Sequence, residues 1–123
     1  MRLREAGEDY LETILQLEDQ DKKIRSVDIA NKLSVSRPSV NKAMNILREN
    51  GLIEQELYGT IMLTPKGRKI AESVHKRHSL IKNFLMKQLY VDELVAEKEA
   101  CGMEHAMSDD TMDKLANYLD NLK

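Results

Sequence analysis

The sequence is poor in several things, and each shortage excludes a class of protein. It holds a single cysteine, Cys101, in 123 residues, so no disulfide can close within the chain and a cytosolic setting is expected. Tryptophan is absent, phenylalanine occurs once, and aromatics total 4%, which leaves no stacking platform for single-stranded nucleic acid. No apolar run approaches the roughly 18 residues that a membrane span needs, and the opening stretch MRLREAGEDY lacks the apolar core of a signal peptide. No membrane partner is therefore expected. No internal repeat or low-complexity linker interrupts the chain, whose length fits one domain with at most a small appendage.

A large excess of either charge is also missing. The formal net charge is -2, which at face value points weakly away from DNA. The charges are sorted along the chain, however. Residues 1–21 sum to -5, 22–50 to +5, 51–63 to -2, 64–88 to +6 and 89–123 to -6. Two basic blocks lie between acidic ends. A single basic block usually means a solvated helix face, but two that bracket one motif call for a common explanation.

That motif is read from punctuation. Tyr10, Leu11, Ile14, Leu15 and Leu17 recur at helical spacing and predict an amphipathic helix over residues 5–19. Asp21-Lys22-Lys23 breaks it. Ser26 is the expected N-cap of a short helix burying Val27, Ile29, Ala30 and Leu33. After Ser34-Val35-Ser36, a second helix over 37–49 is expected, capped by Ser36. Pro38 lies in its first turn, where it removes no needed hydrogen bond. Val40, Ala43, Met44 and Leu47 form the apolar stripe, and Asn50-Gly51 ends it. Leu52–Leu57 and Thr60–Leu63 then read as a hairpin around Tyr58-Gly59. Thr64-Pro65 opens a long helix to about Leu89, and two more follow, from Val91 to about His105 and from Ser108 to about Leu122.

Two helices joined by a tight turn and followed by a hairpin describe a winged helix-turn-helix, in which one helix braces another that enters the major groove. The fold class expected is mainly α with a small β-hairpin. Residues 1–70 would form the winged helix-turn-helix domain and residues 71–123 a helical one. The outer face of the second helix carries Arg37, Ser39, Asn41, Lys42 and Asn45, donors and mixed donor–acceptors of the kind that groove reading requires. With the turn, the candidate DNA-binding set is Arg25, Ser36, Arg37, Pro38, Ser39, Asn41, Lys42 and Asn45. Lys22, Lys23, Lys32 and Arg48 are further candidates for phosphate contact. The plainer alternative is a helical bundle with a basic surface. The hairpin tip Glu56-Leu57-Tyr58-Gly59 has no Lys or Arg, so a wing that grips phosphate by charge is not expected.

A second constellation is Cys101, Glu104 and His105, at i, i+3 and i+4 of one helix, which puts a thiolate, a carboxylate and an imidazole on one face. Asp9 and Glu12 stand at i, i+3 of the first helix, and His78 lies midway along the long one. Were these helices to meet, they would offer a mixed donor set for a first-row divalent ion. Taken singly, each has a blander reading, as a small buried cysteine or ordinary surface acids. Nothing names an orienting third group or an oxyanion donor for Cys101 as a nucleophile, so neither an enzyme nor a small-molecule substrate is expected.

The sequence resembles the DtxR/MntR family of metal-dependent transcriptional repressors, nearly collinearly over residues 5–120. The resemblance rests on Glu8-Asp9-Tyr10-Leu11-Glu12, the helix-turn-helix from Val27-Asp28-Ile29-Ala30 to Asn50-Gly51-Leu52, Leu63-Thr64-Pro65-Lys66-Gly67, Arg77-His78, and the run from Glu99 through Cys101, Glu104 and His105 to Ser108. It implies a homodimer that binds double-stranded operator DNA, with a helical metal-binding and dimerisation domain. It further implies a main metal site of Asp9, Cys101 (with its carbonyl), Glu104 and His105, and a second drawing on Glu12, His78 and Glu104. The length resembles the short branch that has no third, SH3-like domain.

The chain mixes the two branches of that family. The manganese branch usually pairs Asp at position 9 with Glu at 101, and the iron branch Met at 9 with Cys at 101. Asp9 with Cys101 takes one feature from each, and the thiolate tips the expected cofactor slightly towards Fe(II) over Mn(II). Lys82 stands where both branches tend to place Glu, and its cation would repel a metal at the second site. His75 matches no family ligand. The expected function is thus a cytoplasmic, metal-activated repressor of metal-homeostasis genes. The alternative is a metal-independent winged-helix regulator in which Cys101 is a redox switch.

Overall fold

The computed structural model describes residues 5–18, 20, 23–56 and 59–122. Asp21 and Lys22 of the expected helix break, and Leu57 and Tyr58 of the expected hairpin tip, lie outside them. The described residues form six helices and one hairpin in the order α1 (Glu5–Glu18), α2 (Ser26–Leu33), α3 (Arg37–Glu49), β1 (Ile53–Gln55), β2 (Ile61–Leu63), α4 (Pro65–Lys87), α5 (Glu93–Ala106) and α6 (Asp109–Asp120). Among the described residues no helix is long and apolar enough to cross a membrane. The chain divides into two compact units, Met1–Ser73 and Val74–Lys123.

In the first unit, α1 packs on α2 and α3 through Leu11 and Ile14, which join Ile29, Val40, Met44, Leu47, Leu52, Ile53 and Ile61 in one buried cluster. The stripe expected on the second helix of the motif is the one buried, with Ala43 partly covered. Ser36 caps α3, its hydroxyl accepting from the Ser39 N–H at 3.2 Å, and Pro38 lies in the first turn. Gly51 takes a left-handed φ of +72°, as a helix stop requires, and the Leu52 N–H returns to the Leu47 carbonyl at 3.0 Å.

The cap of α2 departs from expectation. Ser26 is the first helical residue and the extended Arg25 is the N-cap. The reason is Asp28, whose carboxylate accepts the Arg25 N–H at 2.9 Å. An acid three residues into the helix does the capping from inside, and also suits the positive end of the helix.

The hairpin is shorter than its sequence pattern. Three residues pair on each side, antiparallel, with Ile53 opposite Leu63, Glu54 opposite Met62 and Gln55 opposite Ile61. Ile61 also donates to the Ile24 carbonyl at 2.8 Å, which ties β2 to the segment before α2. Thr64 closes the unit: its hydroxyl donates to the Gly51 carbonyl at 2.7 Å and accepts the Gly67 N–H at 3.0 Å.

The second unit has a thin core of Ile81 and Leu85 from α4, Ala96 and Ala100 from α5, and Met112 from α6. Asp92 caps α5 through the Leu94 N–H, and Ser108 caps α6 through the Thr111 N–H at 3.1 Å. α4 ends at Lys87, two residues before the expected end, and α5 starts at Glu93, two after the expected start. The intervening Tyr90 has a φ of +56°. Tyr90 and Leu94 are 87% and 82% exposed, and Val95, Tyr118 and Leu122 are also exposed.

Candidate metal centre and nucleic-acid interface

The donor residues lie on faces set by helical spacing. On α1, Asp9 and Glu12 follow each other by one turn, and each offers a carboxylate oxygen within 4.8 Å of the other's. Glu12 is buried and Asp9 half-buried. Two carboxylates this close repel unless a cation lies between them.

On α5 the same spacing aligns Cys101, Glu104 and His105. The Cys101 Sγ and a ring nitrogen of His105 lie within 4.8 Å of each other. His105 Nε2 stands 3.0 Å from a carboxylate oxygen of Glu104, a residue only 1% exposed. A buried carboxylate is costly without polar partners, and the one beside it on α5 is a ring that is itself a metal donor. Arg77 of α4 supports this turn, donating to the Glu104 carbonyl at 2.6 Å and the Met107 carbonyl at 3.1 Å. These carbonyls lie at and just beyond the end of α5, where the helix has no partners of its own to offer. The chemistry of these donors fits a divalent transition metal.

His78 is buried in the second unit, apart from the α5 trio in sequence. Its Nε2 lies 2.9 Å from Glu97 of α5, and Lys82 of α4 reaches Glu97 at 2.9 Å and Glu93 at 3.7 Å. The hydrogen bond from Lys82 holds the Glu97 carboxyl below its ordinary range. Lys82 is raised by the same hydrogen bond. The sequence does not signal Glu97, because its partner is 19 residues away on another helix, a distance at which no periodicity marks contact. His75 is exposed on α4.

The candidate DNA-binding set is solvent-exposed throughout: Arg25, Ser36, Arg37, Pro38, Ser39, Asn41, Lys42 and Asn45, with Lys23 and Lys32 alongside. Lys22 lies outside the described residues. Ser36 donates its hydroxyl proton to the Ser39 hydroxyl at 2.8 Å. Arg48 is not a loose cation. It donates to Asn45 on its own helix and to Gln55 of β1 at 2.7 Å, bracing the exposed face of α3 against the hairpin.

Comparison with known proteins agrees in both units. A family model described as the N-terminal DNA-binding domain of iron-dependent repressors matches residues 2–61, and one described as their metal-binding and dimerisation domain matches residues 64–123. The chain is 39% identical over 110 residues to the transcriptional regulator MntR of Escherichia coli O157:H7, covering 89% of this chain and 70% of that one. It is 34% identical over 117 residues to an uncharacterised HTH-type transcriptional regulator of Methanocaldococcus jannaschii, covering 94% of each. Among solved structures it resembles the manganese regulator SloR, with a TM-score of 0.84 and 34% identity over 98% of this chain. The chain spans about half, 55%, of that structure's length.

Proposed function

We propose that this chain, which belongs to the DtxR/MntR family of metal-dependent transcriptional repressors, holds a divalent transition-metal ion with Asp9, Cys101, Glu104 and His105 and then binds a pseudo-palindromic operator. It does so as a cytoplasmic homodimer that controls metal-homeostasis genes. Residues 1–70 contact the DNA, and residues 71–123 bind metal and dimerise. Glu12 and His78, sharing Glu104, form a second metal site.

One observation carries the reading. Glu104, at 1% exposure, is buried beside His105, with Cys101 one turn earlier on the same helix. Three metal-competent side chains gathered where only polar compensation would keep a carboxylate stable suit ligation better than packing. When bound, a divalent ion supplies two positive charges to this set. Asp9 and Glu12 are then relieved of their mutual repulsion and hold α1 in one arrangement. Because α1 packs on α2 and α3, a fixed α1 fixes the helix that presents Arg37, Ser39, Asn41 and Lys42. Two such helices at constant spacing suit two operator half-sites. Metal favours DNA binding by its differential affinity for this arrangement, and the coupling is reciprocal.

The preference for Fe(II) rests on Cys101 alone, the softest donor in the set. Asp9 is a harder ligand, and the solved relative named for manganese lends Fe(II) no support. Operator titration with Fe(II), Mn(II), Co(II) and Zn(II) under anaerobic, reducing conditions tests both points. Operator affinity that is the same with any of these ions and with chelator would sink the reading. The competing redox switch at Cys101 makes the reverse forecast, with a thiol oxidant releasing DNA and a chelator doing nothing.

A further inference from the structure

His78 is 7% exposed, and its two ring nitrogens have unequal surroundings. Nε2 lies against the Glu97 carboxylate at 2.9 Å. Nδ1 is buried and has no hydrogen-bond partner among the described residues. Glu97 is gripped in turn by the Lys82 ammonium at 2.9 Å, an ion pair in which it stands as a carboxylate. An ionised carboxylate can only accept. The ring proton must therefore sit on Nε2, and in the neutral ring Nδ1 is left with the bare lone pair. A buried acceptor with nothing to accept from is costly, unless it is kept for a ligand.

We propose that Glu97 is a positioning residue for His78: anchored by Lys82, its carboxylate fixes the ring and its tautomer so that Nδ1 faces a divalent metal ion as a ready-made donor. The proposal rests on the reading of His78 as a ligand of the second site. It also changes the meaning of Lys82. Its charge is spent on Glu97 and Glu93 rather than left to repel an incoming ion, so the Lys82–Glu97 pair is part of the site's support. Ligating histidines commonly donate their other N–H to a carboxylate, which orients the ring and raises its basicity.

The test uses the full chain. Nitrogen NMR of the imidazoles without metal, with His78 assigned by loss of its signal in His78→Gln, is expected to show a proton on Nε2 and a pyridine-like Nδ1. In Glu97→Ala the ring should become a mixture of tautomers. Calorimetric titration with Mn(II) and with Co(II) should then show affinity at the second site falling by ~10–100-fold, the usual cost of losing such a carboxylate. Glu97→Gln keeps an acceptor oxygen and should keep the tautomer with a smaller loss. Lys82→Met should weaken metal binding, and a gain would overturn the anchoring role in favour of simple repulsion. A Glu97→Ala protein with an unchanged tautomer, or with a changed tautomer and unchanged metal affinity, would overturn the proposal. Glu104→Ala separates the two readings. If it abolishes metal-dependent operator binding while Glu97→Ala alters nothing, the functional reading stands and this one falls. If Glu104→Ala leaves metal binding intact, the main site itself has been misassigned.

Discussion

Gly67 lies directly against the backbone of Leu52: a Cβ at position 67 would come within 1.9 Å of the Leu52 carbonyl oxygen. That oxygen already accepts the Thr64 N–H at 3.1 Å, so it cannot move aside without breaking the junction between β2 and α4. Gly67→Ala should therefore destabilise the protein by ~2 kcal/mol or more, since overpacking against backbone finds no side chain to yield. Gly102 is the control. A Cβ there meets nothing within 4 Å, and Gly102→Ala in mid-helix should stabilise by up to about 1 kcal/mol. Denaturant melts of the two metal-free variants check both signs.

Glu104→Ala and His105→Ala should each remove metal-dependent operator binding. The expected loss in metal affinity exceeds the ~10–100-fold typical of supporting residues, because direct donors are removed. Reciprocity adds a second readout. In the native protein, saturating operator DNA should tighten metal binding by the same factor by which metal tightens DNA, and in both variants that factor should fall to one. Fluorescence anisotropy with labelled operator, with and without metal, measures it.

Cys101→Glu replaces the soft donor with a hard one and leaves the helix spacing intact. The ratio of Fe(II) to Mn(II) affinity should fall, with Mn(II) binding kept or strengthened. Competition titrations under anaerobic conditions give the ratio directly, and an unchanged ratio would show that Cys101 does not ligate the ion.

On the exposed face of α3, Lys42 and Asn41 should separate two kinds of contact. Lys42→Ala should weaken binding to all sequences alike and lower the slope of log affinity against log salt by ~1. Asn41→Ala should cost ~1–3 kcal/mol on the cognate operator and much less on scrambled DNA. Equal behaviour of the two variants would mean that α3 reads phosphate alone.

The sequence was legible where a single residue type does a local job. Ser36, Pro38 and Gly51 marked the ends of α3 because caps and stops depend on side chains within one turn. Ser108 did the same for α6. The Cys101, Glu104 and His105 trio could be read because helical spacing makes neighbours of i, i+3 and i+4. What stayed hidden depends on distant partners. Glu97 acquires its meaning only from His78 and Lys82 on another helix, and Gly67 only from the Leu52 backbone. The N-cap of α2 lies one residue before Ser26 because Asp28, and not the serine, satisfies the free N–H. Arg48, one more basic residue in the sequence, proves to be a brace between α3 and β1.

The thin core of the second unit has a consequence for mass action. Two of the five residues in its buried cluster are alanines, and Leu80, Phe84, Met86, Val91, Met107 and Leu115 around it are only partly covered, while Tyr90, Leu94, Val95, Tyr118 and Leu122 remain on the outside. So small a core leaves little reserve against the entropy of folding. If self-association covers part of that exposed surface, folding and pairing become one equilibrium, and the melting temperature rises with protein concentration. The amount of regulator present then helps to set how much of it is folded, and each increment of chain stabilises the chains already there.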